Sequence, residues 1–111
     1  MAIHHLSGLH EPGKAYIEFL RTGDLSAGVY RLPAGGTDAQ QPHNEEEIYY
    51  VAAGRARFQA AERDVSVKPG DILFVPPKEP HRFHTIDEDL VLLVFFAPPE
   101  GTGGPAGAAP A

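Results

Sequence analysis

Cysteine and tryptophan are both absent from this 111-residue chain. Without cysteine, a disulfide framework, a thiolate metal site and a thiol nucleophile are all excluded, and a reducing compartment such as the cytoplasm is favoured. The chain also lacks the run of about eighteen apolar residues that would cross a bilayer, and its first residues lack the basic and apolar regions of a signal peptide. We therefore expect a cytoplasmic protein without a membrane partner, whose chemistry depends on other side chains.

Clustered positive charge is missing as well. The nine Lys and Arg residues are scattered along the chain, and the formal net charge is −6. Because proteins bind phosphate backbones through clustered Lys and Arg, the sequence predicts no nucleic-acid partner. The length corresponds to one domain with a single core.

The composition divides the chain into three parts. Residues 1–13 form an N-terminal segment, residues 14–96 hold most of the large apolar side chains, and residues 97–111 consist mainly of Ala, Gly and Pro. A segment without large apolar side chains cannot offset the entropy that it loses on ordering. Residues 97–111 are therefore predicted to be a flexible tail with no role in the fold.

Residues 14–96 contain short runs of β-branched and aromatic residues, separated by turn residues at intervals of about eight to twelve positions. This spacing predicts an all-β sandwich or barrel, and no window keeps the spacing of an amphipathic helix for three turns. A hairpin turn is predicted at Gly54 and Arg55, and a solvated turn at residues 87–89. The predicted strands are residues 14–21, 25–32, 47–51, 56–60, 65–68, 72–75, 81–86 and 90–96.

The last predicted strand, residues 90–96, is apolar throughout. Strands of this kind are usually buried on both faces. We therefore expect one face to pack against the core and the other against a partner subunit.

Two histidines and a glutamate stand out at the edges of apolar strands. His43 and Glu47 belong to one strand segment, and His81 opens another. Alternation places residues 41, 43, 47 and 49 on one side of a regular strand, but a straight strand would separate the α-carbons of residues 43 and 47 by about 13 Å. Two ligands of one ion cannot lie so far apart, so we expect a bend or bulge at residues 44–46.

These residues suit a metal site. Two imidazoles and one carboxylate bind Fe, Mn, Ni, Co or Zn as divalent ions and leave positions open for water or substrate. Gln41 could add a weaker amide oxygen. The alternative is that both histidines form local hydrogen bonds and that residues 45–47 are a solvated face.

Two aromatic residues are predicted to accompany these ligands. Tyr49 and Phe83 each lie two positions beyond a candidate ligand, Glu47 and His81, and therefore share its side of the strand. We expect both to point into the barrel, where they either belong to the core or line a substrate pocket.

The spacing of the first segment resembles the first motif of the cupin family. That motif is Gly, five residues, His-x-His, three or four residues, Glu, six residues, Gly, and the chain fits it from Gly35 through His43 and Glu47 to Gly54. Every spacing holds, and Gln41 stands where the motif has its first histidine.

The second segment resembles the second cupin motif: Gly, five residues, Pro-x-Gly, two residues, His, three residues, Asn. Gly70, Pro76 and His81 match, whereas Lys78 replaces the second glycine and Thr85 the asparagine. The resemblance implies a double-stranded β-helix, or jelly-roll, barrel with a metal inside, and often a homodimer. It implies that Gln41, His43, Glu47 and His81, taken from the two motifs together, are the ligands of that metal.

The resemblance leaves two functions open, because cupin barrels host several. One is a metal-dependent enzyme acting on a small organic molecule, either dioxygenase-like or an isomerase or lyase. The other is a non-catalytic barrel that binds or senses a small ligand at a degenerate metal site. Gln41 fits either an altered ligand set or a site that has lost its metal.

Overall fold

The computed structural model describes residues 1–39 and 42–102. In this part of the chain nearly all regular structure is β, as the sequence predicts, and a single 3-10 turn, Leu6–Gly8, precedes the first strand. No helix among these residues is long and apolar enough to span a membrane. The strands are β1 (Tyr16–Arg21), β2 (Ser26–Leu32), β3 (Glu46–Ala60), β4 (Arg63–Val67), β5 (Ile72–Val75) and β6 (His81–Ala97).

The strands form one antiparallel sheet in the order β1-β2-β6-β3-β4, and β5 pairs with the beginning of β3. The two longest strands, β3 and β6, pair from Glu46 opposite Ala97 to Ala60 opposite His81. Glu47 precedes Ala60 by thirteen residues in β3, which corresponds to about 43 Å of extended strand. Yet Oε1 of Glu47 lies 3.0 Å from Nε2 of His81. The β3–β6 ribbon therefore curls back on itself, and its two ends meet inside a barrel.

The turns predicted at Gly54 and Arg55 and at residues 87–89 are wrong, because β3 and β6 continue through them. Gly54 has a φ of +93° and lies where the register of β3 against β6 shifts, so it forms a bulge and does not reverse the chain. Arg55 pairs across the ribbon with Glu88, at 3.5 Å from Nε to Oε2. Glycine and acidic residues mark bulges and turns alike, and long-range pairing decides between them.

The interior of the barrel is filled by alternate residues of the long strands. One face of residues 90–96 lies in this interior, as predicted, whereas on the other face Phe95 is 38% exposed and its outward neighbours Val91 and Leu93 are half-buried; the packing of that outer face against a partner subunit stays a prediction. The inward residues of β3 and β6 with at most 1% exposure include Glu47, Tyr49, Val51, Phe83, Leu90, Leu92, Val94 and Phe96.

Residues 98–102 pack against the barrel after the end of β6. The backbone N–H of Glu100 donates to Oγ of Ser26 at 2.9 Å, and Nη2 of Arg21 donates to the carbonyl oxygen of Glu100 at 2.8 Å. Residues 97–102 therefore do not form the flexible tail that the sequence predicts. The remainder of that predicted tail, residues 103–111, lies outside the described residues.

We expect Gly54→Ala to lower the free energy of unfolding by more than about 2 kcal/mol. A Cβ at this position would lie 2.3 Å from the carbonyl oxygen of Asp89, which is backbone inside the paired ribbon. Gly70→Ala is the control: its φ is +95°, but no atom of a non-neighbouring described residue lies within 4 Å of the added Cβ, so it should cost only about 1–2 kcal/mol. Urea denaturation measures both, and equal losses would contradict the steric role of Gly54.

Candidate functional site

His43 lies just before β3 and Glu47 lies at its beginning, and both face the interior. The backbone bends at Asn44 and Glu45, immediately before β3 begins at Glu46, where the sequence predicts a bend. His43 and Glu47 are accordingly both buried, with residue exposures of 2% and 1%. The bend thus lets two candidate ligands from one short segment point to the same interior.

His81 opens β6 and points inward, with 1% of its side chain exposed. Its Nδ1 lies 2.8 Å from the carbonyl oxygen of Glu79. A carbonyl oxygen only accepts, so Nδ1 carries a proton and donates it to this bond. Nε2 lies 3.0 Å from Oε1 of Glu47 and 3.1 Å from Oη of Tyr49. Nε2 is therefore the ring atom that faces the other candidate residues.

His43 lies across the interior from His81, with 6.2 Å between ring centroids, and packs edge-on against Phe96 at 4.9 Å. Neither of its ring nitrogens has a hydrogen-bond partner in the described part of the chain. Oε1 of Glu45 lies 3.9 Å from Nδ1, too far for a hydrogen bond. The backbone N–H of Lys78 donates to the carbonyl oxygen of His43, which joins the loops of the two motifs.

The two histidines have opposite pKa shifts. Burial lowers the pKa of His43 below its ordinary value of 6.5, and the charge of Glu47 offsets this only in part. Burial also acts to lower the pKa of His81, but the hydrogen bond and charge of Glu47, together with the bond to Glu79, outweigh it and raise that pKa. His43 is therefore a neutral imidazole at neutral pH, whereas His81 is shifted toward an imidazolium paired with Glu47.

Glu45 is a buried carboxylate outside the predicted ligand set. Its side chain is 2% exposed, and only Glu46 in this acidic run is exposed. The alternative of a solvated face at residues 45–47 is therefore wrong for two of the three positions. Glu45 has the same strand parity as His43 and Glu47, and that alternation could have identified it. It was missed because the motif gives this position no role.

Asp38 is a second buried carboxylate that the sequence did not reveal, with 7% exposure. Its Oδ1 accepts a hydrogen bond from Oη of Tyr30 at 2.6 Å, and its Oδ2 accepts one from the backbone N–H of Phe83 at 2.8 Å. These bonds fasten the segment before His43 to β2 and β6. No periodicity or motif marks Asp38, because its partners lie 8 and 45 residues away along the chain.

Tyr49 and Phe83 lie side by side in the interior, as predicted. They are 0% and 1% exposed, and their rings are nearly perpendicular with centroids 5.0 Å apart. Phe58 packs 4.7 Å from Phe83 and completes an aromatic cluster that adjoins His81. The pocket role of Tyr49 and Phe83 stays a prediction.

The donor atoms fit a divalent transition metal, although no group of three His, Asp or Glu side chains among the described residues stands in position to hold an ion. Within those residues, His43 has an unpartnered imidazole and Glu47 an unpartnered Oε2, and His81 directs Nε2 toward Glu47. Imidazole and carboxylate are the donors that Fe, Mn, Ni, Co and Zn take in proteins. Gln41, the predicted fourth ligand, lies outside the described residues.

Known protein sequences resemble this chain over most of its barrel. An uncharacterized protein of Streptomyces coelicolor is 45% identical over 86 residues, which are 78% of this chain and 82% of that protein. Dimethylsulfoniopropionate lyase DddQ of Ruegeria pomeroyi is 36% identical over 73 residues, covering 65% of this chain but only 36% of the lyase. An oxalate-binding protein of Thermotoga maritima is 34% identical over 68 residues, covering 60% of this chain and 56% of that protein.

Solved structures share the fold. A Thermus thermophilus protein has a TM-score of 0.78 and 26% identity, covering 89% of this chain and 99% of its own. A Klebsiella pneumoniae protein with a double-stranded β-helix domain has a TM-score of 0.77 and 21% identity, covering 94% of each chain. The predicted double-stranded β-helix barrel is thereby confirmed. The sequence profile of the cupin domain matches residues 28–96, and the chain belongs to the cupin family.

Proposed function

We propose that this cupin binds one divalent transition metal per chain through His43, Glu47 and His81, and that it acts with that metal on a small organic acid. The observation that carries the proposal is the buried, unpartnered imidazole of His43, which faces the Glu47–His81 pair. Buried polar groups normally have partners, and a neutral imidazole has a lone pair to give to an ion. Gln41 remains a predicted fourth ligand on its motif position alone.

The buried charge of Glu47 supports a divalent ion. Its carboxylate is 1% exposed, and burying a carboxylate is costly unless its charge is balanced. An imidazolium at His81, 3.0 Å away, balances it in the metal-free protein, and a divalent ion would balance it without a proton on Nε2 of His81. Cupins commonly bind divalent metals, and this donor set admits Fe, Mn, Ni, Co or Zn.

Two relatives support a small organic acid as the substrate class. One is named as a lyase of dimethylsulfoniopropionate and the other as an oxalate-binding protein. Both compounds carry a carboxylate, which a divalent ion can bind. The chain spans 36% of the lyase and 56% of the oxalate-binding protein, so we propose this substrate class for the barrel that the proteins share and not for the whole relatives.

A lyase or isomerase reaction that moves a proton at carbon suits the groups beside His81. When bound, the metal supplies a Lewis acid that polarises an oxygen of the substrate. Tyr49 holds a proton at Oη within 3.1 Å of Nε2 of His81, and the carboxylate of Glu47 can accept one. The rings of Phe58 and Phe83 pack around Tyr49 and exclude water from this part of the interior.

Two alternatives remain open. Dioxygenase chemistry is compatible with the same set of two histidines and one carboxylate, which non-haem iron oxygenases use. A non-catalytic barrel that binds or senses a small ligand is supported by the oxalate-binding relative and by Gln41 in place of the first motif histidine. Iron in the purified protein would favour the first alternative. Ligand binding that survives a His43→Ala, His81→Ala double substitution would favour the second.

We expect untagged protein to contain about one equivalent of a divalent transition metal per chain, and His81→Ala to retain less than about a tenth of it, because one of three ligands is lost. Elemental mass spectrometry measures both. His84→Ala is the control, since Nε2 of His84 lies 3.0 Å from the carboxylate of Asp64 and not in the interior. Wild-type protein that stays metal-free after reconstitution with each of the five metals would contradict the proposal.

We expect the metal affinity to fall as the pH falls through the raised pKa of His81. The proton and the ion compete for Nε2, and the raised pKa means that the proton is held to a higher pH than the ordinary 6.5. Below that pKa, each pH unit costs about tenfold in apparent affinity. Calorimetric titration with Zn(II) in two buffers of different ionisation enthalpy measures the proton released. No release at neutral pH would contradict this prediction.

We also propose that the protein is a homodimer through an apolar face on the outside of β3, β5 and β6. The pairing register places Ile48 opposite both Phe74 and Phe95, and Tyr50 opposite Ile72, so these side chains are contiguous. Contiguous exposed apolar patches of this kind are uncommon on monomers. A second copy of the same face would cover it, with the two-fold symmetry of most dimers. The face consists of Ile48, Tyr50, Ile72, Phe74 and Phe95, which are 38–69% exposed.

We expect Phe74→Glu to raise the dimer dissociation constant at least about thirtyfold, because it places a charge inside an apolar interface where a large anchor residue was. Thr37→Glu, at an exposed position off this face, makes the same change in net charge and is the control. Sedimentation equilibrium measures both variants beside the wild type. A monomeric wild-type protein, or equal dissociation constants in all three, would argue against the interface.

A further inference from the structure

His81 already has the arrangement of a metal-ligating histidine. Nδ1 donates to the carbonyl oxygen of Glu79 at 2.8 Å, and Nε2 faces Glu47 at 3.0 Å. Ligating histidines usually donate from their second nitrogen to a carbonyl or carboxylate oxygen, and this bond fixes both the tautomer and the orientation of the ring. For His81, the backbone just before β6 supplies that acceptor.

His43 lacks the corresponding bond within the described residues. Its side chain is only 1% exposed, and each unmade hydrogen bond of a buried polar group costs about 1–3 kcal/mol. The carboxylate of Glu45 is placed to supply the missing acceptor, because its Oε1 lies 3.9 Å from Nδ1 of His43. A movement of about 1 Å would bring the two atoms to hydrogen-bond distance.

We infer that Glu45 is a positioning residue for metal binding: it accepts a hydrogen bond from Nδ1–H of His43 and so leaves Nε2 for the ion. The inference rests on the proposed metal site of His43, Glu47 and His81. The contact is possible because Glu45 follows His43 by two positions and is buried on the same side as the ring. Both ligating histidines then donate a hydrogen bond from Nδ1, His81 to a backbone carbonyl oxygen and His43 to a carboxylate oxygen.

The charge of Glu45 adds a second effect. A carboxylate that accepts from a ligating imidazole makes the ring a stronger donor to the metal, which a neutral acceptor does less well. Gln41 stands where the cupin motif has its first histidine, so the remaining donors must hold the ion with less help. Strengthening His43 through Glu45 compensates for the weaker amide at that position.

The test compares Glu45→Gln, Glu45→Met and Glu46→Gln, with Co(II) alone as the probe and its affinity measured by visible absorption titration. Glu46 is exposed beside Glu45, so Glu46→Gln makes the same change in net charge outside the interior. Glu45→Met removes the acceptor and should lower Co(II) affinity about 10- to 100-fold. Glu45→Gln keeps an amide acceptor and should lower it about three- to tenfold, whereas Glu46→Gln should change it less than about twofold.

A second readout separates positioning from a general structural role. Long-range proton–nitrogen NMR of the metal-free protein reports which ring nitrogen of His43 carries the proton. Wild type and Glu45→Gln should carry it on Nδ1, and Glu45→Met should move it toward Nε2. Thermal unfolding checks that Glu45→Met is folded, which we expect because the change removes a buried carboxylate. If it does not fold, the Co(II) titration of Glu45→Gln against Glu46→Gln decides.

The outcomes differ for the inference and for the proposed function. Equal Co(II) affinity in the wild type and in both Glu45 variants would overturn the inference and leave the metal site intact. A loss of affinity in Glu45→Met with an unchanged His43 tautomer would also overturn it, because Glu45 would then act on the ion directly. Wild-type protein that binds no Co(II) would instead overturn the proposed metal site itself.

Discussion

The curl of the β3–β6 ribbon is the constraint on which the candidate site depends. Antiparallel pairing fixes the two strands against each other from Glu46 and Ala97 at one end to Ala60 and His81 at the other. A flat ribbon would keep those ends tens of ångströms apart. Right-handed twist and the register shifts between residues 51 and 57 bend it instead. The interior that receives the imidazoles and carboxylates exists only because the ribbon closes.

Local alternation in the sequence was enough to predict the all-β fold and the inward direction of His43, Glu47 and Tyr49. It was not enough to predict strand continuity, because a glycine followed by a charged residue is compatible with both a hairpin turn and a bulge. Which of them forms depends on the partner strand, and the residue of β6 that pairs with Arg55 is Glu88, 33 positions away. Contacts such as that of Asp38 with Phe83 depend on the same closure and leave no local pattern.

The cupin motif identified three residues of this interior and omitted a fourth. It identified His43, Glu47 and His81, whose side chains the structure gathers in one interior. The motif gives no role to Glu45, although its parity with His43 and Glu47 predicts the same inward side. In this interior the surroundings of the two imidazoles differ: desolvation lowers the pKa of His43, whereas at His81 the carboxylate of Glu47 and the carbonyl of Glu79 together outweigh desolvation and raise the pKa. The two motif histidines therefore differ in how strongly they hold a proton, and an incoming ion would meet stronger competition from a proton at His81 than at His43.

The short distance between Glu47 and His81 has a mechanical consequence for a chain without cysteine. The two residues are 34 positions apart in the sequence, so an ion held by both would close a loop of that length, as a disulfide would. Restricting the unfolded chain in this way is worth about 4 kcal/mol in the simplest entropic treatment. Such a cross-link would be reversible, and the fraction of chains that carry it would depend on the ion concentration. The bound ion would then add to the stability of the barrel when metal is plentiful. When metal is scarce, strand pairing and side-chain packing alone would stabilise it.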